Sequence, residues 1–507
     1  MEVRGKHRRR GGAVGWPLAG ALLALCVQVP ALAADVPAKN LERLREAALA
    51  GDRGDCPGAL KQTRPLVRPG AASGLNGEME ALAFDIATRC EHEAKNYAAA
   101  YELALRGSKL EHSSDFLWLV RLSTEIDDKR DGAAVATVEA MNQGRGAALN
   151  AVPIAWMWSL EGRLQDSGAT ALRRRLLKVL ASDSYRPNEL SGPPDGLRYS
   201  YARLLADGGD VAAAEAVVRR LEDPATIARA SVDPKLRRFV PPNFDFRAAT
   251  EKSVRRSNQA MVRNPDKLGP MLEVAAELRR LGRSSESIAL LEDARPRIDD
   301  PSAFSDGEEM LSWWWDALGR AYSALGQYDE AVAAFRKGAA VKEAGSVNVS
   351  QTINLASAQN SFGRGDEALE TLKIFADPKV NASPYGVMEM RLARGCAQAV
   401  AGRPAAAAAD LAYARAHEKD HPVALSNLLL CLGDMDGAAA AFIRRLGNPE
   451  QRVEALLQLS DYDPPPVPGR RDPIASRLPA LKERPDIKAA IARAGGTRRF
   501  NIQPEEL

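Results

Sequence analysis

Apolar residues along this chain fall at helical spacing, and the helical stretches recur in pairs. Each pair reads as a helix, a tight turn with glycine, and a second helix that opens on small residues. The order is visible in Leu281-Gly-Arg-Ser-Ser-Glu-Ser-Ile, Phe362-Gly-Arg-Gly-Asp-Glu-Ala-Leu, Ala401-Gly-Arg-Pro-Ala-Ala-Ala and Leu432-Gly-Asp-Met-Asp-Gly-Ala. Glycine ends the first helix in the left-handed conformation. The small residue early in the second helix (Ser287, Ala331, Ala368, Ala407, Ala438) lets the paired helices approach. One turn later a large residue (Leu291, Phe335, Leu372, Leu411, Phe442) is placed to wedge between neighbouring hairpins. No convincing run of alternating strand residues appears. The pattern predicts an all-α fold, an α-solenoid of antiparallel helix hairpins.

Upstream the signal is weaker. Ala214 and Ala100 hold equivalent small positions, and Phe116–Ile126 with Gly132–Met141, Ile154–Leu164 with Ala169–Ala181, and Tyr199–Leu221 suggest further hairpins. Pro224, Pro234, Pro241 and Pro242 mark an irregular joint, followed by a helix from about Phe246 to Val262. The glycine- and proline-bearing stretches 64–77 and 463–473 read as loops, the latter followed by a helical tail that forms a polar cap on the stack. The expected organisation is therefore a leader at 1–33, divergent hairpins at 34–230, the joint and its helix at 231–264, a regular array at 265–460, and a proline-rich loop with helical tail at 461–507.

One unit carries a resemblance. Residues 315–339 are similar to a tetratricopeptide (TPR) repeat, whose W-x2-L-G-x2-Y…A-x3-F pattern is met by Trp315, Leu318, Gly319, Tyr322, Ala331 and Phe335. Such a unit cannot bury its apolar face alone and stacks on neighbours. The spacing of the small positions scatters around the family period of about 34 residues. The resemblance implies a TPR-like superhelix with Ala368, Ala407 and Ala438 as packing positions. It also implies a scaffold whose first helices line a groove for a protein or extended peptide. Projection of those helices gives Arg279, Arg280, Trp313, Asp316, Arg320, Ser323, Asn354, Ser357 and Asn360 as the lining. It is polar and mixed in sign, with Arg280 or Arg320 available to a carboxylate. It does not resemble the clamp of chaperone-tail binders, since Glu389 and Ala393 stand where a second basic cluster would be. Trp313 and Trp314 face either this surface or the preceding hairpin.

Composition narrows the function classes. Net charge is +3 with no long block of one sign, so no nucleic-acid partner is expected. Residues 1–33 resemble a secretory signal: a basic start (Arg4, Lys6, Arg8, Arg9, Arg10), an apolar stretch to about Val29, Pro30, then Ala31-Leu32-Ala33. An exported, periplasmic protein follows, with secretion or an uncleaved signal anchor as alternatives. Cys26, preceded by Leu25, does not fit a lipidation site. Beyond residue 33 no apolar run reaches bilayer length. Removing the leader leaves Cys56, Cys90, Cys396 and Cys431. Cys56–Cys90 and Cys396–Cys431 are the preferred pairs among three connectivities, because each separation is close to one repeat. Buried free thiols are the alternative.

Catalytic motifs are sparse. No G-x-S-x-G, P-loop or G-x-G-x-x-G is present. His417-Glu418-Lys419-Asp420-His421 matches H-E-x-x-H, in which two histidines one helical turn apart hold zinc and the glutamate activates water. Pro422 pushes His421 out of helical geometry, and the pentapeptide falls where a second helix should end. The sequence thus predicts a non-catalytic scaffold of the cell envelope with no cofactor or metal. A zinc peptidase through His417, Glu418 and His421, or a structural subunit of a larger envelope assembly, are the rival readings.

Overall fold

The protein is described by a computed structural model covering residues 36–70, 73–343, 345–464 and 472–504. The predicted leader and most of the 463–473 loop lie outside the described residues. The chain divides into two compact units, Met1–Glu189 and Leu190–Leu507. Both are stacks of antiparallel helix hairpins, an α-solenoid architecture. Among the described residues the only strands are a two-residue parallel pair, β1 (Asp461–Tyr462) and β2 (Arg499–Phe500).

The hairpin of Gly307–Ala324 and Tyr328–Ala340 shows how sequence makes the unit. Acidic pairs in the first turns (Glu308 and Glu309, then Asp329 and Glu330) sit at the positive ends of the helix dipoles. Gly326, at φ 73°, takes the left-handed turn between the helices. Gly319 faces Phe335 so closely that an added Cβ would lie 2.9 Å from the ring. Trp315, Leu318, Ala331 and Phe335 are buried, Tyr322 half so. Ala368, Ala407 and Ala438 are fully buried in the hairpins that follow.

In the first unit, hairpins run Ala38–Asp52 with Cys56–Val67, Gly77–Glu93 with Tyr97–Gly107, Asp115–Asp127 with Asp131–Gly144, and Ile154–Asp166 with Thr170–Leu180. Two of their turns use Lys95 (φ 62°) and Lys129 (φ 57°) where other turns use glycine. The stretch 64–77 is not all loop. Pro65 lies inside the helix Cys56–Val67, which is capped by Asp55 and buries Leu60, Thr63, Leu66 and Val67. Burial there offsets the hydrogen bond that proline removes.

The second unit opens with Asp195–Asp207 and Val211–Val218, the hairpin that sequence grouped with the N-terminal half. After Pro224–Val232 and a 3-10 turn at Arg237–Phe239, Asp245 caps a helix from Phe246 to Arg263. Hairpins then follow at Gly269–Arg280 with Ser284–Asp293, Gly307–Ala324 with Tyr328–Ala340, Val349–Ser361 with Gly365–Leu372, Pro384–Val400 with Ala408–Ala416, and Pro422–Leu432 with Met435–Gly447.

The C-terminal tail is not a polar cap. After Arg452–Leu459, β1, Pro473–Glu483 and Pro485–Ala494, the chain returns to the start of its own unit. Phe500, wholly buried, stands edge-on to Phe246 at 4.8 Å and beside Tyr462 at 5.0 Å. Leu481, Ile487 and Ile502 are buried in the same core, which also holds Ala202, Leu205, Ile227, Leu425 and Leu456. Arg229 pairs with Glu454 at 3.2 Å across this closure. The apolar flank that a polar cap would have shielded is covered by the unit's own first helices.

Candidate functional site

The first helices of the second unit bring together only part of the predicted lining. On Gly307–Ala324, Asp316 is buried and accepts from Arg320 Nε at 2.6 Å. Its other oxygen accepts from Asn354 Nδ2, one hairpin on, at 2.9 Å. These three residues form a cluster that crosses the boundary between hairpins. Trp313 is half-buried and Ser357 exposed on the same helices.

Several predicted ligand groups are committed to the fold. Arg320 is held by Asp316, and Arg280 pairs with Glu277 at 3.3 Å; neither guanidinium stands ready for a ligand carboxylate. Ser323 is buried, its hydroxyl donating to the Gly319 carbonyl at 2.8 Å. Asn360 is buried too, and donates to the Ala393 carbonyl of the next hairpin at 2.7 Å. These two correct the projected lining: short polar side chains at the crowded ends of packed helices satisfy backbone oxygens. Arg279 is half-buried. Of the tryptophans, Trp314 is wholly in the core, and Trp315 lies between Arg295 and Lys337, each 4.5 Å from its ring.

A second cluster was not anticipated. Tyr385, at the start of Pro384–Val400, is half-exposed and lies 4.3 Å from the His421 ring. His421 Nε2 is hydrogen-bonded to Glu389. Burial, then Glu389 and Glu454, push the Tyr385 phenol up to about 12. The signal was available: Glu389 and His421 are 32 residues apart, near one repeat.

The pentapeptide 417–421 does not form a metal-binding helix. His417 ends Ala408–Ala416, Glu418–Asp420 is a 3-10 turn, and His421 is the N-cap of Pro422–Leu432. His417 stacks on Tyr413 at 4.1 Å and bonds Asp420 at 3.2 Å, while Glu418 is held by Arg444 at 2.9 Å. Among the described residues no group of three or more His, Cys, Asp or Glu side chains is placed to hold a metal ion. Among them, too, no helix is long and apolar enough to cross a membrane.

The cysteines pair between adjacent hairpins. Cys56 is bonded to Cys90 with Cα atoms 5.0 Å apart, and Cys396 to Cys431 at 5.1 Å. Arg477 donates to the carbonyls of Leu430 and Cys431, both at 2.7 Å, which satisfies the end of the helix carrying the second bond.

Residues 315–344 match the family model described as tetratricopeptide repeat. The chain carries a TPR repeat. No curated protein sequence matches it. Solved structures similar to this TPR-bearing chain include "Crystal structure of APC/C hetero-tetramer Cut9-Hcn1" (13% identity, 90% of this chain and 96% of that chain covered, TM-score 0.28). They also include "Structure of Naa15/Naa10 bound to HypK-THB" (14% identity, 90% and 73% covered, TM-score 0.23). A third is "Crystal Structure of the Yeast Tom70" (13% identity, 89% and 99% covered, TM-score 0.24).

Proposed function

We propose that this protein is a non-catalytic scaffold that binds a protein or extended peptide on the first-helix face of its second unit. The observation that carries the reading is the TPR repeat at 315–344, set in a run of like hairpins. Across that face the Asp316–Arg320–Asn354 cluster fixes the relative register of two first helices. Trp313 and Ser357 present contact surface beside it, and Tyr385 continues it two hairpins later. Aromatic side chains at such positions serve as anchors at low entropic cost. The two cystine bridges support an exported protein of an oxidising compartment such as the periplasm.

The test is affinity capture from envelope extract with wild-type, Ser357→Trp and Trp313→Ala proteins. A specific partner retained by wild type and lost on both variants, with circular dichroism unchanged, is expected. Equal capture by all three would remove the groove reading and favour a structural subunit bound through its second helices. Stoichiometric zinc in the purified protein, lost on His421→Ala, would instead point to the peptidase.

A further inference from the structure

The return of the C-terminal segment has the geometry of a bound peptide. It follows Gly495 and Gly496, at φ 113° and 88°, conformations that side-chain-bearing residues rarely adopt. Beyond this double-glycine joint come the two-residue strand Arg499–Phe500 and a bend at 501–502, and the main chain is read on both sides. Asp461 N donates to Arg498 O at 2.9 Å, Asp463 N to Ile502 O at 3.0 Å, and Gln503 N to the Arg280 carbonyl at 2.7 Å. Side chains alternate as a strand's do. Phe500 and Ile502 enter the core, while Arg499 lies outward beside Asp463.

Between the two apolar anchors, Asn501 is recognised specifically. Its Nδ2 donates to Asp245 Oδ1 at 3.0 Å, and its Oδ1 accepts from Arg247 N at 3.3 Å. Asp245 is the cap of the helix Phe246–Arg263. The carboxamide thus fits a donor–acceptor pair formed by a helix N-terminus and its cap. A carboxamide, with its N–H and C=O side by side, matches both. Arg498 adds a bond to the Pro241 carbonyl at 2.6 Å.

We propose that β1, the Asp245 cap and the Arg280 carbonyl form a peptide-recognition site, that residues 497–503 are its tethered occupant, and that it takes extended segments of the pattern Phe-Asn-aliphatic. This site touches the first helices at the C-terminal carbonyl of Arg280, and it stands whether or not the first-helix face binds a partner. Main-chain bonds supply affinity, and the Phe and Asn positions supply selectivity, as in strand addition to a sheet edge. The glycine joint lets the segment leave without unwinding the helix before it.

The experiment uses the full chain with a protease site inserted between Gly496 and Thr497, cut after folding. A fluorescein-labelled peptide of residues 497–504 is then added and followed by anisotropy. Saturable exchange into the cut protein is expected, weakened at least tenfold by Asn501→Ala in the peptide and at least a hundredfold by Phe500→Ala. Absence of exchange in a cut protein that keeps its helical spectrum would overturn the proposal, as would exchange indifferent to both substitutions. A chain ending at Gly496 gives a second reading. If it folds and binds the labelled peptide, the site is confirmed; if it folds and does not bind, the site is refuted. If it does not fold, a gain of helical spectrum on adding the peptide supports the proposal, and no gain counts against it.

Discussion

Gly319→Ala tests whether the hairpins owe their closeness to the missing side chain. Two effects oppose each other. Alanine is favoured over glycine inside a helix by about 1 kcal/mol. Against this, the new Cβ would lie 2.9 Å from three atoms of the Phe335 ring, closer than carbon atoms approach. Phe335 is 3% exposed and cannot swing away without opening the core. Overpacking of this kind costs about 1–3 kcal/mol, so the propensity gain is cancelled and a net loss of up to about 2 kcal/mol is expected. Gly162→Ala, where nothing lies within 4 Å of the added atom, feels only propensity and should gain up to about 1 kcal/mol. Urea titration followed by tryptophan fluorescence reads unfolding through Trp313–Trp315 together with Trp118, Trp156 and Trp158, and hydrogen exchange over 307–340 localises the change to the hairpin. Phe335→Leu in the Gly319→Ala background should recover part of the loss relative to the sum of the single changes. If Gly319→Ala gains stability as Gly162→Ala does, or the two changes simply add, close helix contact at this position is not what holds the repeat together.

Other outcomes are open to direct measurement. Replacing Cys396 and Cys431 by alanine releases a loop of 35 residues and should cost about 4 kcal/mol by chain entropy, read as a lower melting temperature than wild type under non-reducing conditions. Arg320→Ala removes the charged partner of a buried carboxylate and should cost about 2–3 kcal/mol in urea, whereas Ser357→Trp should cost under about 0.5 kcal/mol. The Asp245 carboxyl is held below its usual range by the Ala248 amide and then by the Asn501 amide. A carboxyl lowered on folding adds stability above the unfolded value of about 3.9 and loses it as pH falls through the folded one. Exchange protection of residues 497–503 should therefore drop on going from pH 7 to pH 3, and Asp245→Asn should remove most of that dependence.

The regular hairpins were legible because each local choice pointed the same way. Glycine at the turn, a small residue after it and a large one at Phe335 or Phe442 describe one packing solution repeated. The turns at Lys95 and Lys129 carry no such mark, since the left-handed residue is not glycine. The candidate face was legible only as positions on a helix. Asp316 and Asn354 are 38 residues apart, and their bond follows from how two hairpins register. Projection cannot tell a lining residue from one that turns inward to a backbone oxygen, as Ser323 and Asn360 do. The H-E-x-x-H string shows the converse, a motif without the continuous helix its chemistry requires. The two tail helices were legible, but the return of the segment after Gly496 was not, for a different reason. Two-residue strands have no periodicity to detect, and the partners of Phe500 lie far back in the chain.

That distance has a consequence for biosynthesis. Asp245 and Asn501 are 256 residues apart. At synthesis rates of about 5–20 residues per second, the helices around Phe246 wait roughly 10–50 s for the segment that seals them. Throughout that interval a nascent chain displays an uncovered apolar seam around Phe246.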